Sequence, residues 1–179
     1  MPSYSGVWNL VAQFQAKGQG LWTDLSGNIG LFGGGVIASA PYYTATIGYI
    51  NIDTTGNANS FGNLTIARAN LAACSSSTRG LFAGGTSAYV FDTIDYVTIL
   101  TSGNATNFGS LTQARKYLGS CSSATRGVFA GGLNSSTYYN IIDYVTIATT
   151  GNAVDFGDLQ NLTWGDAGCA SPTRGVFAG

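Results

Sequence analysis

The sequence predicts an all-β fold built from one structural unit that is repeated along the chain. The phrase "TRGLFAGG" at residues 78–85 returns as "TRGVFAGG" at 125–132 and as "TRGVFAG" at 173–179, after a degenerate copy, "NIGLFGGG", at 28–35. The copies begin 47 to 50 residues apart, a period that is typical of repeat architectures. The chain also has 26 glycines and no glutamate or histidine, which disfavours long helices and favours short strands joined by tight turns.

The clearest unit, residues 112–159, begins with two predicted strands. Small and apolar residues at 118–123 are typical of a short strand that is buried on both faces. The repeated phrase supplies a second strand around Val128 and Phe129. A glycine pair then ends this strand, because glycine enters the region of positive φ at little cost.

The second half of the unit predicts two more strands. The third strand shows alternation, with one face formed by Ile142, Tyr144 and Thr146 and the other by Asp143, Val145 and Ile147. A Gly151-Asn152 turn leads to a short fourth strand around residues 154–156.

Four antiparallel strands in about 47 residues are the pattern of a β-propeller blade. A β-solenoid is the main rival, but its coils repeat at roughly 20–30 residues. We expect blades at 19–64, 65–111 and 112–159 and a half-blade at 160–179, after an N-terminal attachment or capping segment at 1–18. The total is about 3.5 blades, whereas closed propellers have about 4–8. Either the polypeptide is longer than this sequence, which we favour, or two copies close a seven-bladed ring.

The units resemble kelch repeats. In each unit an arginine precedes the first strand, a glycine pair closes the second, and aromatic residues lie on the third and fourth strands. These residues are Arg68 and Arg115, Gly84-Gly85 and Gly131-Gly132, Tyr96 and Tyr144, and Phe108 and Phe156. The chain departs from the kelch pattern where Phe-Gly replaces the usual tryptophan and where Thr163 replaces the arginine. The resemblance implies a kelch-like β-propeller.

The repeats are also similar to those of structural proteins of tailed bacteriophages, especially cyanobacterial phages. The similarity rests on the tandem pattern "TRGVFAGG…IDYVTIATTGNA.DFG.L" and on an N-terminus that reads "YSGVW" at residues 4–8. It implies a component of the virion, associated with the tail, the tail fibre or the neck. Other virion proteins are then the expected partners, and self-association is a further possibility.

Composition argues against several functional classes. The net charge is −1 with 8% charged residues, so no basic patch is present to bind nucleic acid. No apolar run reaches the roughly 18 residues of a membrane helix, so no membrane insertion is expected. Asp95 and Asp143 occupy the same repeat position, which indicates a structural rather than a catalytic use. We therefore predict a protein that is not an enzyme and has no cofactor or metal.

The three cysteines recur at one position of the repeat, 47 and 48 residues apart: Cys74, Cys121 and Cys169. One cysteine per unit argues against a disulfide framework and favours a small buried residue over a redox role. Three arginines likewise precede the second strand of their units: Arg79, Arg126 and Arg174. We expect them to hydrogen-bond between units, and the alternative is a ring of guanidinium groups that faces a partner.

Candidate binding residues lie in the loops after the glycine pairs, because these loops vary on a constant scaffold. The loops span residues 36–45, 86–93 and 133–141, and their aromatic residues are Tyr42, Tyr43, Tyr89, Phe91, Tyr138 and Tyr139. If the protein is instead a lectin-like propeller, these rings are expected to stack on sugars of a host-surface glycan.

The N-terminal segment is a second candidate for binding. Apolar residues at helical spacing predict a short amphipathic helix, or a strand, that caps the sheets. The functional alternative is docking onto another virion protein through Val7, Trp8, Leu10, Val11 and Phe14.

Overall fold

A computed structural model describes residues 28–179, and all regular elements in this range are β-strands. The strands form several antiparallel sheets, in agreement with the predicted all-β class. Within the described range, no helix is long and apolar enough to span a membrane. The predicted docking residues of the N-terminal segment lie outside the described residues.

Three successive sheets and a final strand pair follow one another along the chain, and the main strands of each sheet pair in chain order. The first sheet contains β1 (Ile29–Gly33), β2 (Thr46–Asn51) and β3 (Asn59–Asn63). The second contains β4 (Ala72–Ser75), β5 (Arg79–Ala83), β6 (Thr93–Thr98) and β7 (Thr106–Ser110). The third contains β8 (Gly119–Ser122), β9 (Arg126–Ala130), β10 (Leu133–Asn134), β11 (Thr137–Thr146) and β12 (Val154–Thr163). The final pair contains β13 (Ala167–Ala170) and β14 (Gly175–Ala178).

The third sheet contains the four strands that the sequence predicts for residues 112–159. The alternation of the third strand is confirmed, because Asp143, Val145 and Ile147 are buried. Two bounds differ from the prediction. Residues 137–141 are part of β11 rather than a loop, since β10 and β11 form a tight hairpin. The fourth strand is longer than predicted, because Thr163 still pairs with Tyr139 beyond a bulge.

Serine side chains join the first strands of neighbouring sheets, and a cysteine packs against the second strand of the next sheet. Ser122 Oγ donates to the carbonyl of Ser75 at 2.8 Å. A Cβ added at Gly127 would lie 2.6 Å from the Sγ of Cys74, so the glycine leaves room for the cysteine of the preceding sheet. Burial raises the pKa of the Cys74 thiol to about 12. The described cysteines are free, and Cys74 acts as a packing residue.

The hydrophobic cores lie between the sheets. One cluster joins the first and second sheets and contains Ile47, Phe61, Leu64, Phe82 and Val97. A second cluster joins the second and third sheets, and its larger members include Leu81, Ile94, Phe108, Phe129 and Ile147. Each sheet therefore buries apolar residues against its neighbours. This packing fixes the positions of the loops at the ends of the sheets.

Candidate binding surface at the loop end of the sheets

One arginine fixes the segment that leads from the first sheet to the second. This residue is Arg68, and its backbone is bonded to the connection between β1 and β2. The Arg68 amide donates to the carbonyl of Thr44, and the Arg68 carbonyl accepts from the amide of Gly35. Its side chain reaches into the second sheet, where Nε donates to the carbonyl of Gly84 at 2.8 Å and Nη1 pairs with Asp95 at 2.9 Å. The arginine thus ties two sheets together.

The same arrangement recurs before the third sheet. Arg115 Nη2 pairs with Asp143 at 2.7 Å, and neither side chain is accessible to solvent. The hydroxyl of Thr112 donates to the same carboxylate at 2.7 Å, as that of Thr65 does to Asp95. Burial lowers the pKa of Arg115, and the negative charge of Asp143 opposes this shift. The two aspartates thus have the structural use that their equal repeat positions predict.

The glycine pair of the repeat is required where the second strand meets this connecting segment. Gly84 has a φ of 66°, and a Cβ there would collide with the carbonyl of Arg115. The next amide, of Gly85, donates to that carbonyl at 2.9 Å. Glycine alone combines positive φ with so close an approach. Each variable loop therefore starts from a glycine pair at the same end of its sheet.

The predicted aromatic residues divide into exposed and half-buried sets. Tyr42, Tyr89 and Tyr138 are exposed, and Tyr89, at 77%, is the most accessible of them. The others are half-buried, and their backbones anchor the loops: Tyr43, Phe91 and Tyr139. The structure therefore brings the three variable segments to one end of the sheets, with one exposed tyrosine on each.

An aromatic pair that the sequence reasoning missed lies at the same end. The rings of Tyr117 and Trp164 meet edge to face with centroids 5.6 Å apart, and Trp164 is 54% exposed. Lys116 Nζ lies 5.6 Å from the centre of the Tyr117 ring. The Tyr117 amide donates to Asn70, and its carbonyl accepts from Gly165. Tyr117 and Trp164 are 47 residues apart, so the repeat period was the signal that could have placed them on neighbouring units.

The opposite end of the sheets has a serine-lined cavity of about 490 Å³. It lies between the turns that join β4 to β5, β8 to β9 and β13 to β14, and its lining includes Ser75, Ser77, Ser122, Ser123 and Ser171. Some of these hydroxyls form hydrogen bonds within the turns, since Ser123 Oγ accepts from the amides of Thr125 and Arg126.

Arg79 and Arg126, the first residues of β5 and β9, also lie toward this end. Arg79 donates to the carbonyls of Ile147 and Ala148 in the third sheet, at 3.0 and 2.9 Å. Its guanidinium also lies 4.6 Å from the centre of the Tyr96 ring, as that of Arg126 does over Tyr144. Arg79 thus makes the expected hydrogen bonds between units.

No family model matches the chain, and no curated protein matches its sequence. Among residues 28–179, no group of three or more histidine, cysteine or acidic residues is placed to hold a metal ion.

Proposed function

We propose that this chain is a non-enzymatic structural protein of a tailed-bacteriophage particle, and that its sheets are blades of a kelch-like β-propeller. The propeller is supported by the order of strands in each sheet and by the packing of successive sheets against one another. It is also supported by the hydrogen bonds between first strands, such as that of Ser120 Oγ with the carbonyl of Ala73. These features match repeated blades around an axis.

The functional proposal is supported chiefly by a difference between repeated and variable residues. The repeated arginine–aspartate pairs are buried, and the variable segments expose tyrosines. The arginine–aspartate pairs that recur in the repeat, Arg68–Asp95 and Arg115–Asp143, are buried inside the scaffold. Three exposed tyrosines, Tyr42, Tyr89 and Tyr138, lie on the segments that vary from unit to unit. A scaffold of this kind presents side chains to a partner, and exposed tyrosine and tryptophan are typical anchors of protein interfaces.

A host-surface glycan is the second candidate partner, and the Tyr117–Trp164 pair favours it. Aromatic faces stack on the apolar faces of sugar rings, and nearby polar groups orient the ligand. Trp164 exposes much of its ring, and Lys116 supplies a donor next to Tyr117.

Immunogold electron microscopy of intact particles of the phage that encodes the chain tests the first proposal. Antibodies raised against the purified chain are expected to label one location, at the tail or the neck. An absence of the chain from purified particles, measured by mass spectrometry, would contradict the proposal.

A glycan array separates the two candidate partners. For the glycan alternative, binding is expected to be lost in Trp164→Ala and retained in the control Ile52→Ala, which changes an exposed residue outside the variable loops. An array without binding to any host glycan leaves the packing of virion proteins as the function of this surface.

A further inference from the structure

One backbone position of the connecting segments has a left-handed conformation in three successive units. Asn70 and Tyr117 both have a φ of 57°, and Gly165 has a φ of 79°. They hold equivalent places, in the segments that lead to β4, β8 and β13. The Tyr117 amide donates to the carbonyl of Asn70, and the Gly165 amide donates to that of Tyr117, each at 2.9 Å. The connection between units therefore has positive φ at this position, whichever residue occupies it.

Tyr117 is the residue of the three that fits this backbone least well. Glycine enters the left-handed region freely, and asparagine enters it more readily than most residues, whereas a bulky side chain there is strained. The fold would gain from the residue type of Asn70 or Gly165 at position 117. The tyrosine is therefore explained by its side chain rather than by its backbone. Strained residues of this kind cluster at binding and active sites.

The side chain of Tyr117 lies beside a positive charge at the end of the sheets that has the variable loops. It is 36% exposed, and Lys116 Nζ lies 5.6 Å from the centre of its ring. The backbone of Lys116 pairs with Leu133, the first residue of a variable loop, so the fold fixes the base of this lysine. An aromatic ring and an ammonium group thus stand side by side on one connecting segment.

The charge of Lys116 is not used by the scaffold. Within residues 28–179, Lys116 forms no ion pair. The nearest buried aspartates along the fold are engaged elsewhere, since Asp143 pairs with Arg115 and Asp166 accepts from the hydroxyl of Thr163. Lys116 can therefore pair with an anionic group that comes from outside the chain.

We propose that Tyr117 and Lys116 are the specificity-determining residues of a binding site for an acidic sugar of the hexuronic acid type. The ring of Tyr117 stacks on the apolar face of the pyranose, and the ammonium group of Lys116 pairs with the carboxylate. This carboxylate is attached next to the ring oxygen and lies at the rim of the stacked sugar, where a lysine beside the aromatic ring reaches it. The inference rests on the second candidate partner, a host-surface glycan, and narrows it to one chemical class.

An array of matched oligosaccharides tests the ligand class with the full chain. Each hexuronic acid oligosaccharide is printed beside the neutral hexose oligosaccharide of the same configuration and linkage. We expect the acidic member of each bound pair to bind about tenfold more tightly, which is the size of one charge-assisted hydrogen bond. The difference should shrink as the salt concentration rises, because salt screens the charges.

A pair of charge variants tests the role of Lys116. Lys116→Met is expected to abolish the preference for acidic members and to leave the binding of neutral members unchanged. Arg126→Met is the control, because it removes the same charge from an exposed residue at the opposite end of the sheets. It should keep the preference.

The variant Tyr117→Asn separates binding from stability. It places the residue type of Asn70 at the strained position and is expected to weaken both classes of sugar at least about tenfold. Its folding equilibrium constant, measured by urea unfolding, should stay within about threefold of wild type or rise, because relief of the backbone strain offsets the lost ring contact. The control Leu100→Asn changes an exposed residue between β6 and β7 and should keep sugar binding.

The inference is overturned by equal binding of acidic and neutral members, by a preference that Lys116→Met leaves unchanged, or by full binding in Tyr117→Asn. It is also overturned if Tyr117→Asn lowers the folding equilibrium constant more than about threefold, since the ring would then be required by the fold. Binding of neutral sugars alone contradicts the acidic class and keeps a glycan as partner. An array without any binding contradicts both, and neither result bears on whether the chain is part of a virion.

Discussion

The second sheet, β4–β7, and the final pair, β13–β14, contain nearly the same phrase but differ in what surrounds them. In the second sheet, Leu81 and Phe82 are at most 1% exposed, since one faces the third sheet and the other the first. In the final pair, Val176 holds the place of Leu81 and is 57% exposed. The repeated residues therefore form a paired strand in both places, whereas their burial depends on the neighbouring sheets.

The polar connections differ in the same way. Arg115, in the segment that leads to the third sheet, forms a fully buried ion pair with Asp143 of β11. Before the final pair, Thr163 and Asp166 form a single hydrogen bond. The backbone part of the connection is kept, because the Gly132 amide still donates to the carbonyl of Thr163 at 2.8 Å.

Removal of one partner from the buried ion pair should have the largest effect on stability. Asp143→Ala leaves the guanidinium of Arg115 buried without its carboxylate, and we expect a loss of about 3–5 kcal/mol in the free energy of unfolding. Asp166→Ala removes one hydrogen bond and should cost about 1–2 kcal/mol. Urea unfolding followed by circular dichroism measures both. Equal losses for the two variants would contradict the different roles assigned to these aspartates.

Truncation of a core aromatic residue should have the second-largest effect on the free energy of unfolding. Phe82→Ala leaves a cavity between the first and second sheets and should lower the free energy of unfolding by about 3–4 kcal/mol. Val176→Ala shortens a side chain on the uncovered face and should change it by less than about 0.5 kcal/mol. The same unfolding experiment applies. A loss at Val176 as large as that at Phe82 would mean that the face of β14 is covered in the folded chain.

Addition of a methyl group between two sheets should have the smallest of the three effects on the free energy of unfolding. Gly127→Ala places a Cβ 2.6 Å from the Sγ of Cys74, and we expect a cost of about 1–3 kcal/mol. In a Cys74→Ala background this cost should shrink, because the sulfur atom is gone. Gly103→Ala is the control, since a Cβ there meets no atom within 4 Å. A cost at Gly127 that is unchanged in the Cys74→Ala background would place the strain elsewhere.

Much of the fold could be predicted from local patterns. The glycine pair, the alternation around Asp143 and the turn at Gly151-Asn152 each mark an element within a few residues. The β10–β11 hairpin was not predicted, because its Ser135-Ser136 turn lacks the glycine or asparagine that usually marks a tight turn, although Ser135 has a φ of 50°.

The candidate site could be predicted only in part. The variable loops stand out in the sequence because the residues around them repeat, and this places Tyr42, Tyr89 and Tyr138 among the candidates. Their exposure, and the half-burial of Phe91, depend on how each loop folds back on its sheet. The Tyr117–Trp164 pair joins two units across a repeat period, so its contact appears only when neighbouring sheets are placed side by side.

The sequence by itself determined the repeated unit, its strands and the residues that recur in it, because strand propensity, alternation and glycine turns act over a few neighbouring residues. The tertiary structure decided which of these equivalent residues are buried. Phe108 and Phe156 hold the same position in the repeat, and each has an equivalent tyrosine beside it, yet one is covered and the other is exposed. The reason is physical: a side chain leaves water only when another sheet packs against it.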